Sequence, residues 1–242
     1  MGNINLSGSG RITADGSLYE HVGISGSGKI DGNLRCKSMS VSGSGHLMGD
    51  VLCEGKISVS GSGHFNGNVE SYEISASGAS HFDKNVKCKR MSISGACRVN
   101  GSIEGGDISI SGACKVDNNI SADNVLFSGA GNVGGLLNAE NIDIRLSNSD
   151  TNIGEIGCTN LRVIPQNNAK GVLKIFGMSF GGSANLNCKS IEGDELLLCN
   201  TVADVVRGKN VKIGPGCDIK RVEYTDTIEF EGESKVGEQV KI

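Results

Sequence analysis

The chain has no tryptophan and only 2 prolines, and aromatic residues make up 4% of it. So little proline beside 37 glycines excludes a polyproline linker and argues against a disordered tail. No apolar run approaches the roughly 18 residues that a membrane-spanning helix requires. The opening Met1-Gly-Asn-Ile-Asn-Leu has no secretory signal, and Leu6 stands where a myristoylation signal carries Ser or Thr. A net charge of −4 excludes the basic footprint of a nucleic-acid binder. Nine cysteines without an export signal or a Cys-x-x-Cys pair point to free thiols in a reducing cytoplasm. P-loop, His-Glu-x-x-His and nucleophile-elbow motifs are all missing. The sequence thus gives no catalytic, cofactor-binding or metal residue, and a non-enzyme is expected.

What is present is one short phrase, rewritten from Val22 to Leu137. Ile57-Ser-Val-Ser-Gly-Ser-Gly-His-Phe returns 17 residues later as Ile74-Ser-Ala-Ser-Gly-Ala-Ser-His-Phe, then from Met91 and again from Ile108. A repeat of this length, built from strand and turn residues, is the signature of a solenoid. Its rungs centre on Leu6, Ile24, Val41, Val59, Ala76, Ile93, Ile110, Phe127 and Ile144. Less regular centres follow at Val163, Phe180, Leu198, Ile213 and Phe230. Every centre has a second apolar residue two positions earlier, which places both side chains on one strand face.

In the regular rungs a small-then-large pair follows, as in Gly63/Phe65 and Cys97/Val99, and then a large-then-small pair, as in Val51/Cys53. Each turn should therefore carry three short inward-facing strands. Glycines at 26, 43, 61, 78, 95, 112 and 129 mark one corner, and Gly32, Gly49, Gly67, Gly101, Asn118 and Gly135 the next. Both corners read as places for a left-handed backbone. The third corner is polar, as in Glu54-Gly55. The expectation is an all-β, triangular parallel β-helix of about 17 residues per turn. It forms a single domain over 1–242: regular rungs over 1–144, irregular rungs or an insertion over 145–207, and regular terminal rungs over 208–242. A ragged middle fits better than two domains, because no linker composition intervenes.

Three columns invite a functional reading. His46, His64 and His81 share one rung position, but the same column continues as Arg11, Lys29, Arg98 and Lys115. It reads as a row of outward cations rather than a metal strip, on the premise that no carboxylate stands beside the imidazoles. Ser58/Ser60, Ser75/Ser77 and Ser92/Ser94 build a flat two-file hydroxyl face. Ice-binding arrays favour Thr, and lateral contact between filaments suits such a face equally well. Asn33, Asn68, Asn85 and Asn119, with Asp50, read as hydrogen bonding beside a corner. Cys97, Cys114 and Cys217 take one small inward position and Cys36, Cys53 and Cys88 the other, where Cys acts as a small apolar residue.

Neither end shows a helix or a polar cap. The first rung opens with Ile4 and Leu6, and the last closes with Phe230, Val236 and Val240. Uncapped terminal strands offer unpaired backbone to another chain, so these five residues are the candidate polymerisation interface.

Short rungs without long loops, uncapped ends and the segment Ile213-Gly-Pro-Gly-Cys-Asp-Ile-Lys-Arg-Val-Glu-Tyr224 together resemble the bactofilins, polymer-forming cytoskeletal proteins of bacteria. The likeness covers nearly the whole chain. It implies a right-handed β-helix that assembles end to end into non-polar filaments without nucleotide, scaffolding cell shape, polarity or motility. It further implies self-association, protein clients recruited to the filament, and a cytoplasmic location that can include the inner face of the membrane. The family's aromatic end contact maps onto Phe230. The family pattern has one shorter core between disordered tails, often with a membrane-binding N-terminal segment, whereas here rungs fill the sequence. Two alternatives belong to other classes. A left-handed hexapeptide-repeat acyltransferase would keep an 18-residue period and extrude a loop near a catalytic His. A monomeric binding rod would use 145–207 as its recognition surface.

Overall fold

The computed structural model describes residues 2–166, 173–175, 178–180 and 184–242. Every described element is a strand or a turn, and the strands stack in parallel as a solenoid. The chain divides into two compact units, Met1–Asn118 and Asn119–Ile242.

In the first unit each coil from Leu18 onward pairs a long strand with a short one, for example Val51–Val59 followed by Ser62–Phe65. The coils step in strict register: Ile57 lies against Ile74, Ile74 against Met91, and Met91 against Ile108. Alternation does the sorting. Along Val51–Val59, Val51, Cys53, Ile57 and Val59 are buried and the residues between them face outward, as a period of two requires. The thickest part of this core is a stack of Phe65 on Phe82, with ring centroids 4.8 Å apart and neither ring accessible to water. Burying such a side chain contributes about 1.5–3 kcal/mol.

The three inward-facing sides are present, but two strands carry them rather than three. At the polar corner the backbone bends without leaving the ladder, with a register shift between Cys53 and Lys56. Strands end at the other two corners, after Phe65 and, at the Gly61 corner, after Val59. There, two consecutive amides turn onto one carbonyl of the preceding coil: Ser60 and Gly61 donate to Val41 O at 2.9 and 3.1 Å. Ser77 and Gly78 repeat this on Val59 O.

The reason for the glycines also differs from the expectation of a left-handed backbone. Among the described residues, Gly32 is the one glycine at these two corners with a positive φ, 78°. Gly26, Gly43, Gly49, Gly61, Gly67, Gly78, Gly95, Gly101 and Gly112 are instead required by close approach. A Cβ on Gly61 would lie 2.1 Å from Gly43 O, and one on Gly78 2.0 Å from Gly61 O. Each corner therefore seats directly on the corner below it, and only hydrogen fits between.

The asparagine column behaves as a ladder of side chain to backbone bonds. Asn33 Oδ1 accepts from Asp50 N at 3.0 Å, Asp50 Oδ1 from Asn68 N at 2.7 Å, and Asn85 Oδ1 from Ser102 N at 2.9 Å. These bonds satisfy amides that the turn removes from the strand ladder.

Beside the short Ile120–Phe127 and Lys235–Lys241, the second unit uses longer strands: Ala130–Leu146, Thr151–Pro165, Leu186–Leu198, Thr201–Ile213 and Asp218–Phe230. Here the ladder passes straight from Thr151–Pro165 to Leu186–Leu198, with Ile153 against Cys188 and Val163 against Leu198. Met178–Phe180, expected as a rung, instead pairs antiparallel with Leu173–Ile175, outside the parallel sheet. Two apolar residues spaced by two mark any half-buried strand, so alternation alone could not separate a rung from a hairpin.

Candidate functional site: strand edges and side-chain columns

Both candidate ends present open strand edges. Among the described residues, Asn3–Leu6 pairs only with Leu18–Ile24, and Ser9–Thr13 only with Ser27–Asp31. Ile4 is buried and Leu6 half-buried. The Leu6 side chain reaches over the small positions beneath it: a Cβ on Gly28 would meet it at 2.7 Å. At the other end Lys235–Lys241 pairs, among the described residues, only with Asp218–Phe230, and its partners stop at Tyr224. Ile228 and Phe230 therefore lie on Val211 and Ile213 of the coil below, with no strand on their outer side among the described residues. Phe230 is 44% exposed although Ile213 beneath it is fully buried. Val236 continues the inward column above Ile219, whereas Val240 aligns with the outward Glu223.

The serine face is a register-true file. Ser58, Ser75 and Ser92 stack directly on one another. Ser60, Ser77 and Ser94 run beside them at the glycine corner, exposed.

The cation column is likewise in register, from Arg11 and Lys29 through His46, His64 and His81 to Arg98 and Lys115. The three imidazoles stack face to face at 4.5 and 4.7 Å. The premise that no carboxylate stands beside them is overturned. The strand alternates, so the residue two positions after each column member projects on the same side, and that second column runs Thr13, Asp31, Met48, Asn66, Asp83, Asn100 and Asp117. Arg11 binds Asp31, Arg98 and Lys115 bind Asp117, and Asp83 lies between His64 and His81. Asp83 was legible as the second residue after His81, but not its reach back to His64 one coil earlier. The Lys115 and Arg98 side chains hold the Asp117 carboxyl below its usual range, and the Arg11 hydrogen bond does the same for Asp31.

One groove of about 600 Å³ runs along the asparagine ladder, edged by Arg35, Leu52, Glu70, Lys87 and Glu104. All nine cysteines are free. Burial pushes the Cys88 and Cys217 thiols up to about 11 and Cys158, Cys188 and Cys199 up to about 12, which keeps these thiols unreactive at neutral pH.

The described residues thus form a parallel β-solenoid with columns of like residues and strand edges left open at both ends. The family model described as "Bactofilin: Polymer-forming cytoskeletal" matches residues 1–87 and 44–114. Over residues 1–114, a little under half of its length, the chain is similar to the bactofilin family. The match thus falls on the glycine-cornered coils, and the segment 213–224 lies outside it. Two curated relatives come from Bacillus subtilis (strain 168). The uncharacterized protein YhbF is 38% identical over 101 residues, 42% of this chain and 39% of that protein. The uncharacterized protein YhbE is 40% identical over 82 residues, 34% of this chain and 32% of that protein. The matched stretches span well under half of these relatives. No solved structure gives a significant match.

Proposed function

We propose that this chain is a non-enzymatic building block that assembles end to end into nucleotide-independent filaments or scaffolds serving cell shape, polarity or motility. The family is structural and polymer-forming. The observation that carries the reading to particular residues is the pair of open parallel edges. A strand edge with unsatisfied amides and carbonyls pairs with a second strand at little cost. At the 218–241 end that edge adjoins an apolar surface of Ile228 and Phe230, so both hydrogen bonding and burial favour a junction there. In this reading Ile4 and Leu6 form one junction surface and Phe230, Val236 and Val240 the other. Ser58, Ser60, Ser75, Ser77, Ser92 and Ser94 form a lateral face where filaments lie side by side. The partner is first a second copy of the chain, and then protein clients held on the polymer. The place of action is the cytoplasm, with attachment to the inner face of the membrane as an accessory property. Among the described residues no helix is long and apolar enough to cross a membrane.

Negative-stain electron microscopy of untagged protein over a concentration series tests this. Filaments a few nanometres wide, formed without nucleotide, are the expected result. Phe230→Arg places a charge on the junction and should leave dimers, joined through the other end. Discrete monomers of the unaltered chain would overturn the reading and favour a monomeric binding module, for which the groove beside Asn33, Asn68 and Asn85 is the available surface.

A further inference from the structure

We propose that His64, His81 and Asp83 form a site for a divalent first-row transition ion, with zinc the best fit. The two imidazoles come from directly opposed positions on neighbouring coils, and the carboxylate follows His81 by two residues on the same face of the strand. Asp83 offers one oxygen to each ring: Oδ2 lies 3.0 Å from His64 Nε2 and Oδ1 3.1 Å from His81 Nε2. In a tetrahedral zinc site with bonds of about 2.0–2.2 Å, neighbouring ligand atoms are about 3.3 Å apart. The His–Asp separations are thus already close to ligating spacing, and the three ligand atoms all fall within 4.8 Å of one another. The two rings are stacked with a tilt of 19°, so binding requires each to turn about its side-chain bonds until both nitrogens face one ion.

Two details separate this arrangement from the ordinary ion pairs elsewhere in the column. His81 Nε2 is shut off from water and, despite its closeness to Oδ1, has no hydrogen-bond partner. The cluster as it stands therefore leaves one ring nitrogen uncompensated, and a cation among the three groups would compensate it. The carboxylate is also fixed from outside, with Asn66 Nδ2 donating to Oδ2 at 2.7 Å and Asn100 Nδ2 to Oδ1 at 3.4 Å. Such outer partners are what hold a ligating carboxylate in one orientation. The neighbouring cation does not oppose a bound ion strongly, because Arg98, next in the column, is engaged by Asn100 and Asp117. The ligand side chains are between 29% and 40% exposed, so the cluster lies at the surface, where an ion is available from solvent. His46 stacks on His64 with its own Nε2 buried and unpartnered, and lies outside the ligand set.

The test is titration of the metal-free full chain with zinc by calorimetry, repeated with cobalt by absorption. The expected result is one ion per chain, with cobalt d–d bands and no thiolate charge-transfer band, which sets the site apart from the nine cysteines. His64→Gln and Asp83→Asn should each weaken binding by on the order of 100-fold, and Asn66→Ala by about 10-fold, the range that outer partners command. His46→Gln should leave affinity nearly unchanged. Circular dichroism and melting of each variant check folding. Asp83→Asn, which keeps shape and volume, decides the matter if His64→Gln does not fold. Absence of one-to-one binding would overturn the proposal. A thiolate band, or affinity untouched by Asp83→Asn, would do the same. A His46→Gln loss as large as that of His64→Gln would overturn the three-ligand assignment.

Discussion

The two units solve the same stacking problem differently. In Met1–Asn118 a glycine ends a strand in every regular coil, the step is 17 or 18 residues, and like residues stand over like. In Asn119–Ile242 strands of 13 to 17 residues run through the corners. Steps there vary: Leu198 to Ile213 and then to Phe230, and the ladder omits the stretch that holds Leu173–Phe180. The difference teaches what the glycine corner does. Where a corner seats on a corner with only hydrogen between, the coil length is held to 17 or 18 residues, and the odd residue is taken up at the polar corner, between Cys36 and Met39 and between Cys53 and Lys56. Where the strand passes through, insertions and unequal steps are absorbed. The family match lies wholly within the first kind of coil.

The comparison can be broken most sharply at the glycines. Gly78→Ala puts a Cβ 2.0 Å from Gly61 O and 2.4 Å from Ser60 O. Backbone cannot yield as a side chain does, so the expected loss is about 3 kcal/mol or more, read as a lowered denaturant midpoint. In the second unit, a Cβ on Gly157 first meets the Asn138 side chain at 3.0 Å, and that amide can swing aside. Gly157→Ala should cost under about 1 kcal/mol. Equal losses at the two positions would remove the proposed distinction.

A smaller effect tests the ladder that both units share. Asn85→Ala frees the Ser102 amide and Asn119→Ala the Leu136 amide. Each should cost about 1 kcal/mol, with faster amide exchange at the freed position. A loss confined to one unit would mean that water replaces the side chain in the other.

The smallest effect is an acid limb. Hydrogen bonds from the Ser17 side chain, the Ser17 amide and Tyr19 lower the Asp15 carboxyl to about 2, and Asp31, Asp117 and Glu223 are lowered by their Arg and Lys partners. A carboxylate with a lowered folded value stabilises the fold fully above its unfolded value and loses that effect as pH falls through the folded one. Melting temperature should therefore hold from neutral pH down to about 4 and decline from there toward about 2. Asp15→Asn should flatten part of that decline, and an unchanged slope would exclude Asp15 as a contributor.

Much of this protein was legible because a solenoid converts sequence period into spatial neighbourhood. The apolar residues two apart, the serine file and the asparagine ladder are where the 17-residue phrase put them, since parallel strands in register stack position on position. Three things were not legible. The corner glycines looked like backbone devices, yet at Gly61 and Gly78 the constraint comes from the coil below, a contact that no local rule contains. Met178 and Phe180 carried the spacing of a rung, but alternation is shared by any half-buried strand. Asp83 was passed over because its partnership with His64 crosses coils and depends on which way two side chains lean. The sequence by itself determined the period, the inward and outward faces and the composition of each column, because these follow from chain geometry and hydrophobicity alone. Tertiary structure decided which corners must be glycine, which stretch leaves the stack and which column residues meet, because each of these depends on contact between coils.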